Sequence, residues 1–482
     1  MSGENNIRLY KKLDWWLVGS FLFLIIFGWL NIYSALHTDE SHIIDFSQKY
    51  GVDIIWMAIA CIIAALILFV IPSKAWNIFA WWGYAFTMLL LIAVLFFGKE
   101  INGSKSWLEF KVFNMQPAEF SKITTSLALA TLMGKYGYHW KNPRDMMKAF
   151  AVIGIPMLMI LLEHETGLML VYGAFLLVFY REGMSGWILL LGIYAVVVFI
   201  ATLVFSPYVS ILITIGVFMG LIGFNRKNTL PWLVAAVITI TLLAFFPRLL
   251  KIEKIAAINP FEPEIWLALV SSAIALFFVF RIFWNRLKLK FVRNALLCFV
   301  IFVAFSFCVE VIFEKVLGDH QRARIELLLG MRDDPKGVGY NQHQSLIAIG
   351  SGGFHGKGYL HGTQTRFNFV PEQSTDFIFC TIGEEWGFMG SIAILAVYLL
   401  MIIRILNAAE KNADAFVRIY GYCVACCLLM HVAINISMTI GLMPVIGIPL
   451  PFLSYGGSSM LAFTILLFIF IRLDLERKRY GG

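Results

Sequence analysis

The sequence contains little charge for its length. Asp, Glu, Lys and Arg make up 14% of the 482 residues, whereas 60% are hydrophobic and the mean hydropathy is +0.80. A soluble chain of this length could not hide so much apolar surface from water, so the composition excludes the soluble classes. It predicts an all-α membrane protein that crosses the bilayer many times.

Features that indicate a secreted, redox or metal-binding protein are also scarce. The seven cysteines lie mostly inside apolar runs, so we expect no disulfide. Cys423 and Cys426 have the spacing of a redox pair, but they lie inside an apolar run without a βαβ pattern. The first 14 residues read as a short charged tail rather than a cleaved leader. Glu163, His164 and Glu165 are adjacent on a tight turn, and we expect no metal site there.

Apolar segments follow one another along most of the chain. About fourteen of them qualify as membrane spans, although several are short. They are, roughly, 15–35, 52–71, 76–97, 118–133, 148–163, 166–180, 187–205, 208–224, 230–247, 264–281, 294–313, 386–404, 417–440 and 451–471.

The net charge of +8 is better explained by membrane orientation than by nucleic-acid binding. With the N-terminus in the cytoplasm, most Lys and Arg residues of the short loops fall on the cytoplasmic side. Both termini are therefore expected inside. In this arrangement Gln342 and Gln364 face out, whereas Asn142, Asn228 and Asn412 face in.

One polar, glycine-rich segment, 314–385, interrupts the apolar helices. Long loops are usually functional or disordered, and this one is too rich in Phe, Ile and Leu for disorder. We expect it to be a large extracytoplasmic catalytic loop with amphipathic helices. It separates an N-terminal part (1–184) and a scaffold-like set of spans (185–313) from the C-terminal spans and tail (386–482).

Two shorter segments are expected on the same outer side. The first, Gly98–Pro117, is polar and carries Trp107, which suits the bilayer interface. The second, Met443–Ser459, places several Pro and Gly residues inside an apolar stretch. Broken backbone at membrane depth is tolerated where it is buried in protein or lines a cavity, so we interpret it as a re-entrant floor under the site. A plain tight turn between helices is the alternative.

Asp376 is the strongest candidate for chemistry. It follows a polar Pro371–Thr375 run and precedes an apolar helix, and Glu384 and Glu385 lie about two turns further on. It is therefore expected in a groove between lipid and water. The alternative is a first-turn acid that only complements the helix dipole.

Two further groups of polar residues each allow a functional and a structural interpretation. The glycine run 350–358 fails the P-loop pattern. With Lys357 and Arg366 it could still cradle a diphosphate through backbone N–H groups, and turn formation is the alternative. Arg322 and Arg324 lie on a predicted amphipathic helix, in the bilayer interface or in contact with an anion.

Two pairs of polar residues fall inside predicted spans. Glu119 and Lys122 share a helix face, where intramembrane ionisable groups are functional candidates and an internal salt bridge is the alternative. His431 and Asn435, one turn apart, are predicted to make interhelical hydrogen bonds.

Several motifs together resemble the SEDS family (shape, elongation, division and sporulation). They are Gln116-Pro117-x-Glu119-Phe120-x-Lys122, Gln344-Ser345-x-Ile347-Ala348-Ile349-Gly350, Thr375-Asp376-Phe377-Ile378-Phe379, Glu384-Glu385-x-Gly387-Phe388 and Ser454-Tyr455-Gly456-Gly457-Ser458. Gly362–Thr365 and Gly447–Pro451 are similar to the family's cell-elongation member rather than its cell-division member. The resemblance implies a peptidoglycan glycosyltransferase of the bacterial cytoplasmic membrane that polymerises lipid II. It also implies a class B penicillin-binding protein and other elongation-complex proteins as partners.

The resemblance also suggests roles for individual residues. Asp376 takes the catalytic acid position, Trp107 that of the outer-loop tryptophan and Lys122 that of the lysine after the Gln-Pro motif. The candidate substrate-binding residues are Lys122, Trp107, Glu119, Gln116, Arg322, Arg324, Lys357, Glu384 and Glu385. Mg²⁺ or Mn²⁺ is a candidate cofactor without an evident ligand set.

This chain departs from the family pattern in two places. The family has about ten spans, so about four are extra here. Its Gln-Pro-Asp-x-Gly motif appears here as Glu163-His164-Glu165-Thr166-Gly167.

The implied reaction converts an α-linked diphosphate into a β-1,4 bond and inverts the configuration. Such a displacement needs a general base, for which we assign Asp376, and cations on the diphosphate leaving group. A lipid II flippase is a competing hypothesis that favours charged residues at the membrane midplane. A non-catalytic scaffold for the penicillin-binding protein is another.

Overall fold

The structure is a computed structural model that describes most of the chain. The described residues are 13–37, 45–101, 104–109, 114–204, 210–211, 213–215, 217, 289–315, 318–331, 337, 339–367 and 369–480. The predicted spans 230–247 and 264–281, and most of 208–224, lie outside them. The total of about fourteen spans therefore stays a prediction.

Helices account for nearly all of the regular structure. They are α1 (Trp15–Leu36), α2 (Lys49–Phe69), α3 (Ser73–Phe97), α4 (Pro117–Met133), α5 (Pro143–Leu162), α6 (Thr166–Tyr172), α7 (Phe175–Arg181), α8 (Gly186–Val204), α9 (Leu289–Lys315), α10 (Asp319–Leu328), α11 (Tyr340–Gly352), α12 (Ile378–Glu410), α13 (Ala415–Thr439) and α14 (Gly457–Tyr480). Within the described ranges, eight of them are long and apolar enough to cross a membrane: α1, α2, α3, α5, α8, α12, α13 and α14. The chain is a multi-pass helical membrane protein.

Local sequence explains where several of these helices begin. The side chain of Asp14 accepts from the backbone N–H of Trp16 at the start of α1 (3.2 Å), and Asp414 accepts from Phe416 at the start of α13 (2.9 Å). Such caps satisfy N–H groups that have no partner inside the helix. Pro117 opens α4, where a missing N–H costs nothing.

The described chain divides into two compact units. The first, residues 1–185 with 334–482, has a core in which α4 is buried over most of its length and α13 and α14 pack around it. In the second, residues 186–333, α8 packs on α9 through the rings of Tyr194 and Phe302, whose centroids are 4.6 Å apart.

The expectation of an all-α chain is wrong in one place. A small antiparallel sheet of order β1-β2-β3 follows α3 and consists of Lys99–Ile101 (β1), Ser104–Glu109 (β2) and Asn114–Met115 (β3). Lys99 pairs with Trp107, and Leu108 pairs with Met115. Hydropathy did not predict this sheet because many of its side chains are polar.

The predicted span at 386–404 begins too late. Helix α12 starts at Ile378, so Glu384 and Glu385 lie inside a helix and not at the end of a loop. Hydropathy excluded its first turns because they carry these acids. The helix is interrupted at Gly387, whose φ of 64° is left-handed. The predicted span 166–180 is likewise divided into α6 and α7.

Residues 440–456 form no helix, so the last helix begins at Gly457 and not at 451. Gly441 and Gly447 have left-handed backbones (φ 81° and 74°). The segment is nevertheless buried in protein around Ile448 and Leu453. The backbone is broken there, as predicted, and its role as a re-entrant floor under the site stays a prediction. We call 440–456 the broken segment.

Candidate active site

Asp376 lies just before helix α12 and not inside it. The N-cap of α12 is Phe377, and its first turn contains no acidic residue. The alternative interpretation of Asp376 as a first-turn acid is therefore wrong. The residue is half-buried, as expected for a carboxylate at the edge of a groove.

Three hydrogen bonds to other parts of the chain hold the turn that carries Asp376. Gln373 Nε2 donates to the carbonyl of Ala35 in α1 (2.8 Å), and Tyr455 N donates to the carbonyl of Ser374 (2.8 Å). Asn435 Nδ2 of α13 donates to the carbonyl of Asp376 itself (2.8 Å). The turn is thus attached to α1, to α13 and to the broken segment.

Gly447 of the broken segment faces the Asp376 carboxylate. A Cβ atom added to Gly447 would lie 3.3 Å from Asp376 Oδ2, and the φ of 74° disfavours any side chain there. Glycine therefore allows the backbone to approach the carboxylate closely. Sequence reasoning quoted Gly447 within a motif but missed this contact, because a positive φ leaves no separate signal in the residue type.

Glu384 is fully buried and holds the loop that precedes Asp376. Its Oε1 atom accepts from Lys357 Nζ (2.6 Å), Thr363 N (2.8 Å) and Gln364 N (2.9 Å). Its Oε2 atom accepts from the backbone and hydroxyl of Thr365, both at 2.9 Å. These contacts occupy the carboxylate, so the prediction that Glu384 binds substrate is not supported by its geometry.

The glycine run 350–358 serves close packing against α12. A Cβ on Gly352 would collide with the carbonyl of Gly383, and one on Gly356 would collide with that of Glu385. The N–H groups of Lys357 and Gly358 donate to the carbonyls of Glu384 (3.0 Å) and Glu385 (2.9 Å). Because these N–H groups are already bonded, the geometry favours the turn-forming alternative, and a phosphate cradle stays a prediction without support from them.

Lys357 and Glu385 differ in how much bonding capacity remains. Among the described residues, Lys357 Nζ bonds Glu384 and Thr363 Oγ1 (2.7 Å), and an ammonium carries three N–H groups, so these two partners leave one for an anion. Glu385 accepts from the hydroxyl of Ser34 and is buried. Their contacts with substrate stay predictions.

Lys122 forms a buried ion pair inside the first unit. Its ammonium lies 2.6 Å from Glu119 Oε2, 2.8 Å from His431 Nε2 and 4.3 Å from the ring centre of Phe463. The lysine is 1% exposed. The structure thus contains the internal salt bridge that was the alternative to diphosphate binding, and the predicted interhelical bond of His431 is confirmed.

The small sheet is attached to the turn between α5 and α6. Glu165 Oε1 accepts from Ser104 Oγ (2.9 Å), Ser106 Oγ (2.6 Å) and Gln116 Nε2 (3.2 Å). Half-buried Trp107 follows Ser106 on β2. Glu165, whose role sequence reasoning left open, therefore holds Gln116 and the strand that carries Trp107.

Glu163, in the same turn, is fully buried, and neither of its carboxyl oxygens meets a hydrogen-bond donor from the described residues. Burial, with a smaller contribution from the nearby charge of Glu165, raises the pKa of Glu163 to about 9. The carboxyl group is therefore neutral at pH 7. Among the described residues, no three His, Cys, Asp or Glu side chains converge as metal ligands.

The remaining predicted cations belong to the second unit. Arg322 and Arg324 lie in α10, which confirms the predicted helix. Their contact with an anion stays a prediction.

The fold and the site together define a multi-pass helical membrane protein in which a half-buried aspartate is fixed before a broken helix. Residues 14–215 and 224–479 match the sequence model of the FtsW/RodA/SpoVE family, described as cell cycle proteins. The chain belongs to this family, and the resemblance inferred from the motifs is confirmed.

Individual relatives agree with this assignment. The chain is 31% identical over 476 residues to the peptidoglycan glycosyltransferase RodA of Treponema pallidum, covering 94% of this chain and 96% of the relative. It is 35% identical over 269 residues to the peptidoglycan glycosyltransferase MrdB of Escherichia coli K12, covering 54% and 70%.

Solved structures share the fold. A structure described as a peptidoglycan synthase complex that coordinates polymerization and crosslinking has a TM-score of 0.57 at 20% identity, covering 98% of this chain and 99% of that one. The rod shape determining protein RodA of Thermus thermophilus, as a mutant, has a TM-score of 0.50 at 18% identity, with the same coverage.

Proposed function

We propose that this protein is a peptidoglycan glycosyltransferase that polymerises lipid II during cell elongation, with Asp376 as the general base. Family membership and a relative of that name, similar along nearly the whole chain, support the reaction class. The structural observation that carries the proposal is the position of Asp376: three hydrogen bonds hold the turn that carries it, and its carboxylate faces the backbone of Gly447.

The chemistry requires one positioned carboxylate. The 4-hydroxyl of one sugar attacks the anomeric carbon of a lipid-linked sugar, and the diphosphate leaves from the opposite face. Asp376 removes the hydroxyl proton, an effect worth about 10²–10⁴-fold in rate. A second carboxylic acid, as glycosidases use, is unnecessary because a diphosphate leaves without protonation when cations neutralise it.

Several cations are candidates for binding the diphosphate leaving group. Lys357 bonds two described partners, and its side chain is 26% exposed, so it is better suited to an anion than the buried candidate Lys122. Lys122 would have to leave Glu119 and His431 to reach substrate. Arg322, Arg324 and a bound Mg²⁺ or Mn²⁺ are the other candidates.

The substrate dictates the placement of the site in the membrane. Lipid II carries its sugar outside the cytoplasmic membrane and its polyprenyl chain within it. We propose that the 314–385 segment, the small sheet and the broken segment face outward and that both termini are cytoplasmic. The distribution of Lys and Arg supports this orientation, with about fourteen spans in total.

A class B penicillin-binding protein is the proposed partner. A solved neighbour is described as a synthase complex that coordinates polymerization and crosslinking, and crosslinking is the activity of such a transpeptidase. Other elongation-complex proteins and membrane lipid complete the proposed surroundings.

Polymerisation of labelled lipid II by the purified protein tests the proposal. We expect glycan chains with the partner present and few without it, and none when lipid II is omitted. An assay of lipid II translocation in sealed vesicles distinguishes the flippase hypothesis. Translocation without polymerisation would contradict the proposed function.

A further inference from the structure

We propose that Asn435 is a positioning residue that sets the Asp376 carboxylate against the broken segment. The proposal rests on the function proposed above, because it assumes that Asp376 is the base. Asn435 itself touches no substrate in this account. It acts through two main-chain carbonyl groups.

The Asn435 side-chain amide makes hydrogen bonds to two distant parts of the chain. Its Nδ2 atom donates to the carbonyl of Asp376 (2.8 Å) and to that of Ile448 (2.6 Å). An amide carries two N–H groups, and both are used. Asn435 is fully buried on α13, so water does not compete for these bonds.

Neither carbonyl belongs to a helix. Asp376 precedes the N-cap of α12, and Ile448 lies in the broken segment directly after Gly447. A helical hydrogen-bond ladder therefore fixes neither one. The amide joins the backbone at Asp376 to the backbone at Ile448, next to Gly447. A Cβ on Gly447 would be 3.3 Å from Asp376 Oδ2.

Apolar packing contributes to holding both backbone segments, the one at Asp376 and the one at Ile448. Phe377 packs with Ala348, Val370 and Cys380, and Ile448 packs with Val171 and Ile434. The Asn435 bonds fix the position of the Asp376 and Ile448 carbonyls within this apolar packing, beside the bond from Tyr455 N to the carbonyl of Ser374 (2.8 Å). The position of a general base matters, because a misplacement of about 1 Å can cost about 10²-fold in rate.

The test replaces Asn435 with leucine, which has a similar size and no donor. Asn31→Leu is the matched control, because Asn31 is also fully buried and donates to a main-chain carbonyl (Phe27 O, 2.7 Å), but within its own helix. In the purified complex we expect Asn435→Leu to lower kcat at least about tenfold with KM within about twofold. The acid limb of the pH–rate profile should move, whereas Asn31→Leu should match the wild type in both.

The outcomes are separable. Wild-type kcat and an unmoved acid limb in folded Asn435→Leu overturn the proposal, and so does a loss of activity that only follows a lower melting temperature. If Asn435→Leu fails to fold, Asn435→Ser is measured by the same criteria, and failure of both to fold assigns Asn435 to stability and overturns the proposal. Asp376→Asn, measured in parallel, separates the two hypotheses. If Asp376→Asn is active, Asp376 is not the base. If Asp376→Asn is inactive and Asn435→Leu has wild-type activity, only the positioning role of Asn435 is rejected.

Discussion

Asp376 is expected to act by accepting a proton, and its isosteric amide removes that ability alone. Asp376→Asn keeps the size of the side chain and cannot take the hydroxyl proton. Turnover of lipid II should therefore fall at least about a hundredfold. The main-chain bonds from Asn435 and Tyr455 are independent of the side chain, so folding and partner binding should survive.

Asp414→Asn is the control for this substitution. Asp414 caps α13 through a bond to Phe416 N, and asparagine is about as good an N-cap as aspartate. It should leave turnover unchanged. Glycan synthesis by well-folded Asp376→Asn at more than about a tenth of the normal rate would falsify the assignment of the base.

The Lys122–Glu119 pair predicts a stability defect with a specific rescue. Lys122→Ala leaves the Glu119 carboxylate buried without its cation, which typically costs about 3–5 kcal/mol. Adding Glu119→Gln should restore most of the melting temperature, because no buried charge is then left. Recovery of activity in the double variant assigns Lys122 to structure. Recovery of stability without activity assigns it to the diphosphate.

Glu163 predicts a pH dependence of stability. Its pKa is raised from 4.5 to about 9, so the folded state holds a proton that the unfolded state has lost. Stability contributed by this proton is full below pH 4.5 and declines as pH rises towards 9, by at most about 1.4 kcal/mol per pH unit. Glu163→Gln stays neutral throughout. Its melting temperature should fall less between pH 6 and pH 9 than that of the wild type.

Exposed Glu109 supplies the comparison for that measurement. It pairs with Lys99 on the small sheet at 2.9 Å, with both side chains more than half exposed, so Glu109→Gln should keep the wild-type slope. Equal slopes for Glu163→Gln and the wild type would show that Glu163 ionises in the folded protein.

At the level of elements, the contact between α11 and α12 depends on glycine. Gly352 ends α11 where a Cβ would collide with the carbonyl of Gly383. Gly352→Ala should therefore destabilise the protein by about 1–3 kcal/mol, as overpacking usually does. Gly350 lies two residues earlier in the same helix with no described atom within 4 Å of its Cβ position. Gly350→Ala should be neutral or slightly stabilising. Similar melting temperatures for the two variants would contradict this account of the contact.

The helices themselves were largely predictable, and their interruptions were less so. Hydropathy located α1 to within one residue at each end, whereas it placed the start of α3 three residues late because that helix begins with Ser73 and Lys74. It misplaced the start of α12 because Glu384 and Glu385 are polar residues inside a helix. Their partners, Lys357 in a loop and Ser34 in α1, are not evident from the local sequence. It also missed β2, whose six residues are too few and too polar to give a clear pattern.

For the whole molecule, the sequence identifies the residues of the site and not their partners. Asp376 was selected from its motif, but its fixation depends on Ala35, Asn435 and Tyr455, which are far from one another along the chain. Ser34 meets Glu385 across 351 positions. Such contacts depend on how helices pack, and hydropathy contains no information on which helices are neighbours.

Membrane orientation is tested by labelling single cysteines on a cysteine-free background with an impermeant maleimide. Gln342 and Asn412 are buried and unsuitable, so exposed His361 and Tyr136 replace them. We expect His361→Cys to label in intact spheroplasts and Tyr136→Cys only after permeabilisation, because the positive residues place the α4–α5 loop in the cytoplasm. Labelling of both from outside would contradict the orientation.

The same assay tests the number of spans through a position outside the described residues. Asn228 is predicted inside, between two of the extra spans, and an even number of extra spans keeps the 314–385 segment on the outer side. Asn228→Cys should therefore label only after permeabilisation, as Tyr136→Cys does. Labelling at 228 from outside, with His361→Cys still outside, would leave the site facing outward and change the number of spans between α8 and α9. That outcome would reject the total of about fourteen without affecting the catalytic proposal.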